Sequence, residues 1–150
     1  MTKKILTALL SVIILIQVYQ IDRDNPESAP ELDFLKMVEV PENIATTMHT
    51  ACYDCHSNET VYPWYAYVAP VSWMVGDHVE EGREHLNFSE WGNMTEEDQE
   101  HAFEEIAEEV EEGKMPEDDY TMMHGDAELS DAQREAFVEW FEAKYKAAHH

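Results

Sequence analysis

Two thiols and an imidazole fall within five consecutive residues, Cys52-Tyr53-Asp54-Cys55-His56, and the chain has no other cysteine. Cys-x-x-Cys-His is the spacing through which haem is attached covalently. Each thiol can add across one vinyl group of a porphyrin to give a thioether. A two-residue spacer sets the sulfurs roughly one helical turn apart, which suits the vinyl separation. The imidazole directly after them is then held where it can serve as proximal ligand to the iron. Three other chemistries use paired cysteines. A thioredoxin-like pair wants a βαβ context, and the flanks here have helical periodicity. A structural zinc site draws on four ligands, and there is no second cysteine pair. A disulfide between residues three apart is geometrically awkward. The triplet therefore points to one covalent haem c and its iron, with Cys52 and Cys55 as attachment points and His56 as a metal ligand.

An iron held by His56 has a second axial position. The chain offers eight methionines and eight histidines, so position must select among them. Met115 comes after a glycine helix stop at Gly113 and precedes Pro116, which fixes the backbone. A loop of this kind can carry a thioether to the far side of the iron. Met48 and Met74 sit at helical spacing with other apolar residues and suit a core. Met94, Met122 and Met123 suit packing or exposure. His78 and His85 share a stripe with Met74 and Glu81 and offer a bis-histidine alternative. His49 lies on the proximal segment, and His149 and His150 end the chain. Met115 is the favoured distal ligand; His78, His85, another methionine or an open site remain as alternatives. A Met/His pair raises the reduction potential and fills the coordination sphere, which suits electron transfer. An open site would suit a sensor or peroxide chemistry.

The elements that must position these groups read as helices and loops. Few glycines and few β-branched runs argue against sheet. Glu42 to Ala51 forms a short helix after Pro41, with Ile44, Met48 and Ala51 on one face. Asn58 to Pro70 is an aromatic loop broken by Pro63 and Pro70. Its Tyr62, Trp64, Tyr65 and Tyr67 suit either a cofactor pocket or packing over a helical core. Val71 to Leu86 is helical, with Gly76 and Gly82 at points that favour close approach of a flat group or another backbone. Thr95 to Glu112 is the clearest helix, with Phe103, Ile106, Ala107 and Val110 inward and Gly113 at its end. Ser130 and Gln133 form a capping box for a last helix from Asp131 to Ala147, with Phe137, Trp140 and Phe141 inward.

Ahead of all this, Lys3 and Lys4 precede an apolar run from Ile5 that extends to Ile21. This is the pattern of a signal peptide or an N-terminal membrane anchor with the lysines in the cytoplasm. No small-x-small cleavage site comes after it, so an uncleaved anchor is favoured over a cleaved signal. Residues 1–21 are thus expected as leader, 22–41 as a proline-stiffened linker, and 42–150 as the haem-binding domain. Leu32, Phe34, Leu35 and Val38 are expected to lie on the surface of that domain.

Composition narrows the partners. A net charge of -24 argues against nucleic acid and for a redox partner with a basic docking face, if a charged partner exists. Solubility explains the same charge more simply. No Lys or Arg occurs between Glu84 and Gly113, which makes that surface densely anionic.

The run Cys-Tyr-Asp-Cys-His-Ser-Asn-Glu-Thr-Val-Tyr-Pro-Trp-Tyr (52–65) resembles the haem-binding domain family of small exported c-type cytochromes. Ala-Pro-Val-Ser-Trp (69–73), His-Val-Glu-Glu-Gly-Arg (78–83), Leu-Asn-Phe-Ser-Glu-Trp (86–91) and Gly-Lys-Met-Pro (113–116) fit the same pattern. Tyr120, His124, Leu129, Ser130 and Trp140 complete it. The resemblance spans roughly residues 32–145, and this chain is unusually acidic for it. It implies an all-α, class I cytochrome c-like bundle of about four helices with long loops around one covalent haem. It also implies attachment through Cys52, Cys55 and His56, and Met115 as distal ligand. The expected function is electron transfer without enzymatic turnover, on the periplasmic side of a bacterial cytoplasmic membrane. The expected partners are other redox proteins and the membrane itself. A soluble periplasmic form, and a sensor or peroxidase-like protein, stand as the alternatives.

Overall fold

A computed structural model describes residues 2–149. Among them there are eight α-helices and no strand, so the chain is all-α. Helix α1 covers Thr2–Ile16, α2 Phe34–Met37, α3 Glu42–Ala51, α4 Tyr53–His56, α5 Val71–His85, α6 Glu96–Glu111, α7 Asp118–Met123 and α8 Asp131–Ala148. Helices α3, α5, α6 and α8 occupy the four stretches in which the periodicity predicts them. The short α2, α4 and α7 do not appear in the hydrophobic pattern, because one or two turns carry too few periods to show.

The ends of α6 and α8 are set by local chemistry. Thr95 accepts from the Asp98 N–H, and three acidic residues occupy the first turn of α6, where the helix dipole favours them. Gly113, at φ 73°, ends the helix in a conformation that other residues avoid. Ser130 and Gln133 close a full capping box at the start of α8. Helices α6 and α8 then pack against each other along Phe103, Ala107 and Val110 on one side and Phe137, Val138 and Phe141 on the other.

Phe34 sits at the centre of this core rather than on its surface. It is fully buried, edge-on to Trp91 at 4.7 Å and stacked on Phe141 at 6.0 Å, with Phe88, Phe103 and Trp140 also around it. These later aromatics close around a ring from the N-terminal side, and Phe34 supplies it. Burial of one phenylalanine contributes about 1.5–3 kcal/mol. Asp33 fixes the segment: its carboxyl caps α2 through the Leu35 N–H and accepts from the Tyr53 hydroxyl at 3.0 Å. The stretch before α3 is therefore tied directly to the motif turn.

The N-terminal segment differs from its expected form as well. Helix α1 stops at Ile16 instead of reaching Ile21, and among the described residues no helix is long and apolar enough to cross a membrane. Beyond Ile16 the chain becomes a strap over the loop before α5 and the start of α5. Gln17 donates from Nε2 to the Ala69 carbonyl and accepts the Ala69 N–H at Oε1, both at 2.9 Å. The Trp73 indole donates to the Tyr19 carbonyl, and Ile21 fills the space over Gly76. Arg23 donates to the Ala66 carbonyl at 3.2 Å and covers the Tyr67 ring.

Candidate functional site: a thiol–thiol–imidazole turn

Helix α3 carries the chain into Cys52, whose N–H still donates to Met48. Ile44 and Met48 bury the inner face of α3, so the turn after it is set against the core. That turn, α4, places Cys55 and His56 within one helical turn of Cys52, and both bond to the Cys52 carbonyl. Both thiols are free. Burial pushes both up to about 12, helped at Cys52 by Cys55 and at Cys55 by Asp54, so both are neutral at ordinary pH.

His56 points one ring nitrogen at the protein. Nδ1 lies 3.1 Å from the carbonyl oxygen of Leu86, which can accept only if that nitrogen carries the proton. That arrangement places the lone pair on Nε2, the orientation that a ligating histidine takes. Burial lowers the His56 pKa from its ordinary value, which keeps the ring neutral and able to ligate. Phe88 meets the ring edge-on at 6.3 Å and stacks on Tyr53 at 5.3 Å.

Helix α5 holds the turn from behind. A Cβ on Gly82 would lie 2.7 Å from the Cys55 carbonyl oxygen, so this glycine lets the two backbones meet. The close approach expected at Gly82 is thus to another backbone, that of the motif itself. Arg83 secures the exit from the motif, donating to the Ser57 carbonyl at 2.7 Å and to Thr60 Oγ1 at 2.8 Å.

Asp54, between the cysteines, is a junction that the motif pattern leaves unassigned. Its Oδ1 accepts the Val61 N–H and its Oδ2 accepts the Tyr120 hydroxyl, both at 2.9 Å. Tyr120 also stacks on His124 at 4.3 Å, and His124 Nε2 pairs with the Tyr65 hydroxyl at 2.6 Å. Burial and the neighbouring Asp54 raise the pKa of both tyrosines, so both stay protonated. The segment after Pro116 is in this way folded back across the motif turn.

Met115 lies just ahead of that segment. Its side chain is half-buried against the main core, its N–H donates to the Glu109 carbonyl at 3.0 Å and its carbonyl accepts from Arg134 at 3.2 Å. The structure therefore groups Cys52, Cys55 and His56 on one turn and places Met115 on a separate segment, after α6. His78 is engaged on both sides, with Nδ1 3.4 Å from Glu117 and Nε2 3.8 Å from Asp119. One donor atom each from His78, Glu117 and Asp119 lies within 4.8 Å of the others, so both carboxyls engage this ring. His85 is exposed.

The donor set fits haem: two neutral thiols one turn apart, and a neutral imidazole whose Nδ1 is occupied so that Nε2 is free. A small all-helical protein with this turn falls in the class of haem-binding proteins. The chain belongs to the haem-binding domain family, which matches residues 11–143. Comparisons with curated proteins and with solved structures give no match.

Proposed function

We propose that this protein is a monohaem c-type cytochrome, an exported and membrane-tethered electron carrier. The observation that carries the reading is the His56 ring, held by Leu86 with Nε2 free, one residue after two neutral thiols on the same turn. Cys52 and Cys55 would hold the macrocycle as thioethers, and His56 and Met115 would ligate its iron. When bound, haem supplies a one-electron iron couple. The residues of the chain hold and orient it. Leu86 fixes the imidazole, Gly82 and Arg83 fix the turn, and Asp54 ties Tyr120 and the segment after Met115 across it. The acidic surface favours a redox partner with a basic face. The leader, α1, suits anchoring on the periplasmic side of the membrane.

The bis-histidine alternative is weakened by the pairing of His78 with Glu117 and Asp119. The decisive experiment is a pyridine haemochrome assay on the denatured protein. One haem per chain that stays with the polypeptide supports the proposal, and haem released by denaturation overturns covalent attachment.

A further inference from the structure

The chain carries 33 acidic residues, yet residues 61–76 contain no charged side chain. That stretch is also where the fold leaves large apolar groups open. Trp64 is 73% exposed, Tyr67 54%, Val68 45% and Val71 43%. Exposed apolar groups in one continuous patch mark a surface that something covers.

Three features identify what covers it. The patch adjoins the end of α1, because Gln17, one residue after the helix, is bonded twice to Ala69. Helix α1 is itself apolar and exposed along its length. At 15 residues α1 is about 22 Å long, shorter than the roughly 30 Å hydrocarbon core of a bilayer. A helix too short to cross keeps the residues that follow it at the interface, and here those residues are strapped to the patch. Finally, tryptophan and tyrosine favour the headgroup level: Tyr19 meets Trp73 edge-on at 6.0 Å, and Trp64 and Tyr67 stand exposed on the same uncharged stretch. Elsewhere the surface is acidic and would be repelled by an anionic bilayer.

We propose that Trp64, Tyr67, Val68 and Val71 form a seat in the phospholipid interface of the membrane that takes α1. The seat holds the domain in one orientation with its acidic helices directed away from lipid. The inference rests on the anchoring reading above.

The test uses the full-length haem-loaded chain in phosphatidylcholine–phosphatidylglycerol vesicles containing a phospholipid with a photoactivatable diazirine. Adducts are mapped by peptide mass spectrometry. The expected result is adducts within residues 2–16 and again within 64–71. The double variant Val68→Asp/Val71→Asp should lose the second set and keep the first; both side chains are exposed, so circular dichroism should be unchanged. Adducts confined to the leader overturn the seat and leave the anchor standing. Adducts nowhere overturn both. A patch that is unlabelled because a second copy or the haem covers it also overturns the seat, and crosslinking of the patch between chains identifies the first of these.

Discussion

A Cβ placed on Gly82 would lie 2.7 Å from the carbonyl oxygen of Cys55. Backbone on both sides leaves nothing flexible to yield. Gly82→Ala should therefore push α5 from the motif turn, and overpacking of this kind costs about 1–3 kcal/mol. A urea melt of the variant checks the stability. Because Leu86 lies on the same stretch of chain, the yield of haem-loaded protein should fall with it.

Asp54 joins Val61 and Tyr120 through its two oxygens. Removing both acceptors by Asp54→Ala should destabilise the chain by about 1–3 kcal/mol. The loss should be local. Limited proteolysis is expected to cut faster within residues 117–124 and unchanged within α6 and α8. Equal acceleration everywhere would show that Asp54 does not latch this segment.

Met115 and His78 make opposite predictions as distal ligands. The ferric haem-loaded protein should show the far-red band of a thioether on iron. Met115→Ala should abolish it, and His78→Ala should leave it in place. If the band is absent from the parent protein, Met115 is not a ligand.

The neutral thiols give a pH dependence with a definite sign. In the haem-free unfolded chain they ionise around the ordinary value of 9.0, whereas in the folded chain both hold their protons up to about 12. Between these values the unfolded chain binds fewer protons, so folding stability falls as pH rises above 9.0. Iodoacetamide should alkylate the folded haem-free chain far more slowly than the urea-unfolded one. A Cys52→Ser/Cys55→Ser variant should lose the part of the alkaline destabilisation that the thiols contribute, leaving that of the buried tyrosines.

The parts of this molecule legible in its sequence are those written in local chemistry. The Cys-x-x-Cys-His triplet, the Ser130–Gln133 box and the Gly113 stop each declare themselves within a few residues, and Gly82 announces a close approach. What approaches it is a long-range fact. The Leu86 carbonyl bonded to His56 has no side-chain signature, since any residue would supply the same oxygen. Asp54 occupies a position that the motif leaves free, so its two partners, seven and 66 residues away, cannot be read from it. Phe34 sits in a polar, proline-rich stretch, and its neighbours suggest a surface. Only the packing of five other rings shows that it belongs inside.

That placement of Phe34 sets how short the domain can be made. A chain started at Glu42 would keep Cys52, Cys55, His56 and Met115 and lose the ring on which the core closes. Trp91, Phe103 and Phe141 would then face a vacancy, and the hydroxyl of Tyr53 would lose Asp33. Anyone transplanting the Cys-x-x-Cys-His turn into another scaffold must therefore carry the segment from Pro30 along with it.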